Sequence, residues 1–235
     1  MFFKKRRIEN QAYKDFNWDD CNAKTNGEKY FLERYAGTWK LCLDIGANEG
    51  NYAEMVLKIN PKCRVICFEP NPDLINKIKV KNITEVHNLA VSSNSGFVNI
   101  NINMADPTQS SIYRKNDDTK SVCVPSVTID EFAEKHNLHT IDFIKIDTEG
   151  NEVSVLKGMR NLCANRAVDM IQFEYGGTYL DAKTTLLEVY ELMSKNYIIC
   201  HLMPSGVIPL RYSSELEKFR YSNWIAVSRD IYAKS

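Results

Sequence analysis

Five acidic side chains stand at or near the ends of apolar runs. They are Asp44 in "LCLDIGANEGNY", Glu69 in "CRVICFEPNP", Asp147 and Glu149 in "IDFIKIDTEG", and Glu174 in "DMIQFEYGG". Apolar runs of this kind read as buried strands, and open parallel sheets bind ligands beyond the carboxyl ends of their strands. The first run passes through Gly46, Asn48 and Gly50 into a helical pattern, so its turn is a candidate cradle. A dinucleotide fingerprint would need glycine at 46, 48 and 51, where the chain has Gly46, Asn48 and Asn51. Asn48 removes the clearance a pyrophosphate needs, and no Gly-Lys-Ser/Thr follows to make a Walker loop. Glu69, 19 residues after Gly50, is placed to accept hydrogen bonds from ribose hydroxyls, with Pro70-Asn71-Pro72 stiffening its turn. The expected ligand carries a ribose, lacks a diphosphate and, with Asp44 beside the turn, bears positive charge. S-adenosyl-L-methionine meets all three conditions.

The remaining acids then acquire a task. Methyl transfer is an in-line displacement that needs the acceptor atom about 3–3.5 Å from the methyl carbon. A protonated hydroxyl is a poor nucleophile, and a carboxylate in reach serves as general base. In an extended chain Asp147 and Glu149 share a face, Gly150 frees the backbone to turn, and Glu152 opens the next helix as a partner of its dipole. Close carboxylates raise one another's proton affinity, which suits a base. Asp147, Glu149 and Glu174 are therefore the catalytic candidates, with Lys145 two residues earlier to offset their charge. The same acids are conceivable magnesium ligands, but their separation in sequence gives no convergence, and no metal is expected. His201 lies in an apolar strand and reads as a packed histidine before a distant candidate base. Ser110, Ser111 and Arg114, in a polar loop, could bind a polar acceptor.

These side chains need a scaffold that alternates strands and helices, and the chain supplies one. Strands are expected at "KLCLDI", "CRVICFE", "TEVHNLAV", "IDFIKID", "DMIQFEY", "YIICHLM" and "NWIAVSR". Helices are expected over residues 27–35, 49–59, 72–80, 129–136, 152–163 and 184–195. Pro72 lies in a first turn, and Thr128 with Glu131 forms a capping box. After the third strand, "GFVNININM" alternates by twos, with Val98, Ile100 and Ile102 on one side. "SVCVPSV" contains Pro125 and reads as an edge strand or a bend. The fold class is α/β: a doubly wound, mostly parallel sheet of seven strands with a β insertion after the third. Residues 1–37 form a lead-in segment and residues 38–235 the domain.

Composition narrows the function. Thirty basic and thirty acidic residues give zero formal net charge, without the basic excess of a nucleic-acid binder. No apolar run approaches the ~20 residues that span a bilayer. The basic cluster Lys4, Lys5, Arg6 and Arg7 has no apolar core behind it and is not a secretory signal. Seven cysteines without a CxxC pair argue against cysteine-bound zinc and for a reducing, cytoplasmic location.

The segments "LDIGANEGNYA", "FEPNP", "NLAVSS", "VPSVTIDEF" and "IDFIKIDTEGNEVSVLKG" together resemble the FkbM-type methyltransferases, within the class I S-adenosylmethionine-dependent superfamily. The resemblance covers about residues 39–156, and the last segment is its most specific part. It implies a Rossmann-like class I fold and O-methylation of a hydroxyl on a saccharide or small polar metabolite. It also implies that Asp44, Gly46, Asn48 and Gly50 surround the methionine part, that Glu69 binds ribose, and that Asn88 and Ala90 lie near adenine. Two alternatives stand beside it: a nicotinamide-dependent oxidoreductase on a similar sheet, and a non-catalytic, cofactor-binding partner subunit. RNA methylation would want a basic stripe that the sequence does not show.

Overall fold

The computed structural model describes residues 17–79, 83, 85–113 and 118–234. Lys4, Lys5, Arg6, Arg7 and Arg114 lie outside them. In chain order the strands are β1 (Leu41–Ile45), β2 (Arg64–Phe68), β3 (Glu85–His87), β4 (Ala90–Val91), β5 (Gly96–Asn103) and β6 (Thr119–Val127). There follow β7 (Ile141–Ile146), β8 (Val168–Tyr175), β9 (Tyr197–Met203), β10 (Gly206–Pro209) and β11 (Ser222–Ser228). The helices are α1 (Glu28–Tyr35), α2 (Asn51–Ile59), α3 (Pro72–Lys79), α4 (Ile129–Lys135) and α5 (Glu152–Lys157). α6 (Arg160–Ala164), α7 (Thr178–Ala182), α8 (Leu186–Met193) and α9 (Arg229–Ala233) complete them.

The main sheet has the order β10-β9-β11-β8-β7-β1-β2-β3. β1 is buried at all five positions because it is central and covered on both faces. β3, β2, β1, β7 and β8 run parallel, and β11, β9 and β10 add by antiparallel pairing. The strand ends at Ile45, Phe68 and Ile146 are thereby brought to one edge, since Ile45 pairs with both Phe68 and Ile146. Two apolar clusters cover the faces. One holds Leu43, Ile45, Phe68 and Ile144 with α4, α5 and α8, and the other holds Cys42, Cys67 and Phe143 with α2 and α1. Phe31 and Leu32 of α1 belong to that second cluster, so the lead-in helix shares the core of the sheet.

Five expectations are corrected. The sheet has eight strands rather than seven, because β10 folds back on β9 as a hairpin that the short run 206–209 did not advertise. "TEVHNLAV" is two strands: β3 joins the main sheet, while β4 leaves it to pair with β6. β6 is the middle strand of a three-stranded sheet, order β4-β6-β5, rather than an edge. Its proline is tolerated because β4 reaches only Ser126 and Val127, so Pro125 is flanked by β5 alone. The helix expected over residues 152–163 breaks at Gly158 into α5 and α6. A Cβ at Gly158 would lie 2.1 Å from the Ser92 carbonyl, so the break is where the insertion presses against the main domain. Thr128 caps α4 by accepting from the Glu131 amide, but the Glu131 carboxylate turns to the Ser95 hydroxyl instead of completing the box.

Candidate cofactor and acceptor cavity

The glycine turn after β1 holds its own amides. Gly46 N–H and Ala47 N–H both donate to the Phe68 carbonyl, at 2.9 and 3.0 Å. Asn48 N–H donates to Glu69 Oε2 at 2.8 Å, and Gly50 N–H to the Ala47 carbonyl at 2.7 Å. Gly46, Asn48 and Gly50 all take positive φ (79°, 51° and 75°), which glycine and asparagine tolerate. The winding turns these four amides toward the protein, so they cannot ring a pyrophosphate as in a dinucleotide cradle.

Glu69 lies at the tip of β2 and is 4% exposed. Its Oε1 accepts from Asn71 N–H at 2.8 Å, and Oε2 from Asn48 N–H. A carboxylate offers about four lone-pair sites, so each oxygen retains capacity for a ribose hydroxyl. Burial pushes its pKa up to about 7, against the pull of the two amides.

A cavity of about 390 Å³ opens beside this turn. Pro70, Leu74, Leu89 and Ala90 give it an apolar wall, and Glu69, Asp147, Glu149 and Glu174 give it acid. No lysine, arginine or histidine is among the described lining residues. The insertion closes it: Asn48 Nδ2 donates to the Thr108 carbonyl at 3.0 Å, and Asn71 Nδ2 to the Pro107 carbonyl at 3.1 Å. Ser111 Oγ donates to the Glu149 carbonyl at 2.8 Å, and Tyr113 OH to Asn151 Oδ1 at 3.1 Å. Ser110 and Ser111 therefore sit at the cavity, tied to its rim by hydrogen bonds to the Pro107 and Glu149 carbonyls.

The expected residues separate into those at the cavity and those behind it. Gly46, Asn48, Glu69, Ala90, Asp147, Glu149 and Glu174 line it. Asp44, Gly50 and Asn88 do not. Asp44 is fully buried beneath the turn, beside Lys145, its register partner on β7. Burial raises its pKa to about 6, with Lys145 opposing. Gly50 packs toward Ile78 and Ile83 at the start of α2. Asn88 braces the acidic turn by donating to the Glu69 and Pro70 carbonyls, at 2.9 Å each.

Asp147 and Glu149 do not share a strand face. β7 ends at Ile146, Glu149 takes φ 53° and Gly150 φ 105°, so a turn and not an extended chain carries both acids to the cavity. Glu152 closes that turn: its Oε1 accepts from Thr148 N–H at 2.8 Å, Thr148 Oγ1 at 3.0 Å and Gly150 N–H at 3.3 Å. Lys145 Nζ lies 2.7 Å from Asp147 Oδ2 and 5.0 Å from the Tyr52 ring centre. Burial, reinforced by Asp147, Glu149 and Glu152, raises the Glu174 pKa well above the carboxylate range. His201 is a packed core histidine between Trp18 and Trp224, its pKa lowered by burial to about 3.

Two lining residues carry no signal in the sequence: Cys21 from the lead-in and Tyr221 just before the last strand. They meet through pairing over some 200 positions, with Asp19 N–H donating to the Tyr221 carbonyl at 2.9 Å and Asp19 bridging Arg220. Among the described residues, no group of three or more histidine, cysteine or acidic side chains is arranged to hold a metal ion. Nor is any helix there long and apolar enough to cross a membrane.

The chemistry of this cavity fits S-adenosylmethionine. It has acid without bases among the described residues, an apolar wall, and a buried Asn48 Oδ1 that has no partner among the described residues. Sheet and cavity define the class of the S-adenosylmethionine-dependent methyltransferases. The profile of the Methyltransferase FkbM domain matches residues 44–199, and the chain belongs to that family. Membership sets aside the nicotinamide alternative.

Two curated relatives are similar over part of the chain. The hexuronic acid methyltransferase AglP of Haloferax volcanii is 28% identical over 123 residues, 50% of this chain and 49% of that protein. The 2-O-methyltransferase NoeI of Sinorhizobium fredii is 24% identical over 135 residues, 49% of this chain and 56% of that protein. The chain thus spans about half the length of the curated relatives it matches. Among solved structures, the methyltransferase FkbM from Methylobacillus flagellatus has a TM-score of 0.48 at 16% identity, covering 81% of this chain and 44% of that one. The plantazolicin methyltransferase BpumL, solved with S-adenosylhomocysteine, has a TM-score of 0.48 at 14% identity, covering 88% of this chain and 84% of that one.

Proposed function

We propose that the chain is an O-methyltransferase acting on a hydroxyl of a saccharide or a small polar metabolite. The observation that carries the cofactor side is the glycine turn. Its amides at 46, 47, 48 and 50 are bonded to protein oxygens, and the cavity beyond them is lined by carboxylates. Such a site favours a phosphate-free cation. The acceptor side draws support from the sugar-directed names of the two relatives.

When bound, S-adenosylmethionine supplies the methyl group on a sulfonium that departs as a neutral thioether. The residues of this chain hold and deprotonate. Glu69 holds ribose through both carboxylate oxygens, Asn48 offers Oδ1 as an acceptor, and Leu74, Leu89 and Ala90 pack an adenine ring. Glu174 is the base. Its carboxylate takes the acceptor's hydroxyl proton as the new O–CH3 bond forms. Its raised pKa gives it the proton affinity for this, and a cation bound in the cavity favours its carboxylate form. Asp147, held by Lys145, and Glu149 keep the field negative. The chain would work in the cytoplasm, where S-adenosylmethionine is made available to such enzymes.

The test pairs calorimetry with turnover. S-adenosylmethionine and S-adenosylhomocysteine are expected to bind, and NAD not to. Labelled methyl should pass to at least one member of a panel of hexose, deoxyhexose and hexuronate glycosides, and Glu174→Gln should abolish the rise of that rate with pH. Competitive binding of NAD would sink the cofactor assignment. Cofactor binding without transfer to any glycoside would sink the saccharide assignment.

A further inference from the structure

We propose that Tyr221 orients the methyl acceptor through its phenol proton, and that Glu28, acting through Gln172 and Asn223, fixes where that proton points. The proposal rests on the cavity being the methyl-transfer site. It concerns residues 28, 221 and 223, which lie outside the stretch 44–199 that matches the family.

The argument is one of hydrogen-bond direction. Glu28, 7% exposed, accepts at both oxygens: Oε2 from Asn26 Nδ2 at 2.9 Å, and Oε1 from Gln172 Nε2 at 2.6 Å. Gln172 is fully buried, and only its NH2 can face a carboxylate. Its carbonyl Oε1 is then turned to Tyr52 OH, which donates at 2.8 Å. The second proton of Gln172 Nε2 goes to Asn223 Oδ1 at 3.1 Å. Asn223, 6% exposed, must therefore present its NH2 on the other side, where it donates to the Tyr221 oxygen at 3.1 Å. Each amide orientation follows from the one before, and the carboxylate sets the first.

The chain ends at the cavity. Tyr221 lines it, beside Glu174 and Asp147, and its oxygen already takes a proton from behind. Its own O–H is left to donate, and no acceptor for that proton is found among the described residues. An acceptor oxygen entering the cavity supplies the missing partner. Asn223 and Glu174 are facing register positions on β11 and β8, so the donor Tyr221, one residue before β11, enters beside the strand that carries the base. A carboxylate takes the proton of the reacting hydroxyl while a phenol donates to a second oxygen of the same molecule. Such two-point contact discriminates polyols from simple alcohols. Tyr221 is the residue that touches the acceptor, and Glu28, Gln172 and Asn223 are positioning residues.

The test uses the full chain loaded with S-adenosylmethionine and the glycoside panel, together with amide NMR of the chain loaded with S-adenosylhomocysteine. Tyr221→Phe keeps the ring and removes the donor. It should lower acceptor kcat/KM about 10-fold, the value of one hydrogen bond, with S-adenosylhomocysteine affinity within about two-fold of the parent. Glu28→Gln should do the same alone and add nothing in the Tyr221→Phe background, a non-additivity that a general loosening would not give. Asn223→Asp, which offers Tyr221 an acceptor in place of a donor, should mimic Tyr221→Phe. The side-chain amide signals of Gln172 and Asn223 should both move in Glu28→Gln. They judge the relay without any acceptor, so a panel with no turnover counts against the saccharide reading alone. Unmoved Asn223 signals in Glu28→Gln, or unchanged acceptor kcat/KM in Tyr221→Phe, would overturn the proposal.

Discussion

At the scale of single residues, Glu69 joins two turns of the fold and is the residue proposed to hold the ribose. Its two oxygens each hold one backbone amide, joining the turn after β1 to the turn after β2. The rest of its accepting capacity faces the cavity. Glu69→Ala therefore removes the proposed ribose contacts and also frees Asn48 and Asn71 N–H, which water can reach once the side chain is gone. We expect S-adenosylhomocysteine affinity to fall by about 1.5–3 kcal/mol, the range for hydrogen bonds to a charged group, while the chain stays folded. Isothermal titration with a far-ultraviolet dichroism control checks both halves. An unchanged affinity would remove Glu69 from the ribose site. The position of this residue was legible because a strand-end acid about 20 residues past a glycine turn has a known geometric meaning. Tyr221 was illegible. Nothing local to "FRYSNW" says that this tyrosine will meet Asp19 and Glu174.

At the scale of elements, apolar runs were reliable where both faces are covered. β1, β2, β7 and β8 follow their sequence patterns closely because a buried parallel strand leaves little choice of composition. Pattern fails where one apolar run serves two sheets. "TEVHNLAV" is continuous in hydropathy, yet the chain turns at Asn88, whose side chain bonds the Glu69 and Pro70 carbonyls. The β insertion was recognised by its period of two, but its purpose came only from contacts. The segment 107–113 is tied to the turns after β1, β2 and β7 by Asn48, Asn71, Glu149 and Asn151. This makes it a cover for the cavity, and Asn71 is its most buried fastening, at 0% exposure. Asn71→Ala removes the donors to the Pro107 carbonyl and Ser110 Oγ, together with the cap on Asp73 N–H. One or two such bonds are worth about 1–2 kcal/mol, so the release rate of S-adenosylhomocysteine should rise roughly 5- to 30-fold with a smaller change in its association rate. Stopped-flow displacement measures this directly, and an unaltered release rate would show that the segment does not hold the ligand.

At the scale of the whole molecule, the cavity is built at a cost to the fold, because three acids at it or in the turns behind it are buried away from water. Burial raises Asp44 to about 6, and Glu69 and Glu152 to about 7. A carboxyl whose folded pKa exceeds its unfolded one binds its proton more tightly in the native state. Its contribution to stability is complete below the unfolded pKa and is lost as pH rises through the folded one. Glu152 isolates the effect, since its unfolded reference is 4.5, its folded value about 7, and its Oε2 has no partner among the described residues. Glu152→Gln keeps an acceptor for Thr148 and Gly150 but cannot ionise. Buried His201, lowered to about 3, and His87, also lowered, titrate in the opposite sense, but they do so equally in both proteins and cancel in the comparison. Relative to the parent, the variant should therefore gain about 2–3 kcal/mol between pH 5 and pH 8, from the roughly two pH units between 5 and the folded pKa of about 7 at 1.36 kcal/mol each. Urea unfolding at the two pH values measures that difference. A parent and variant with parallel pH dependence would mean that Glu152 ionises as freely in the folded chain as in the unfolded one, and that the turn carrying Asp147 and Glu149 is wetter than its geometry implies.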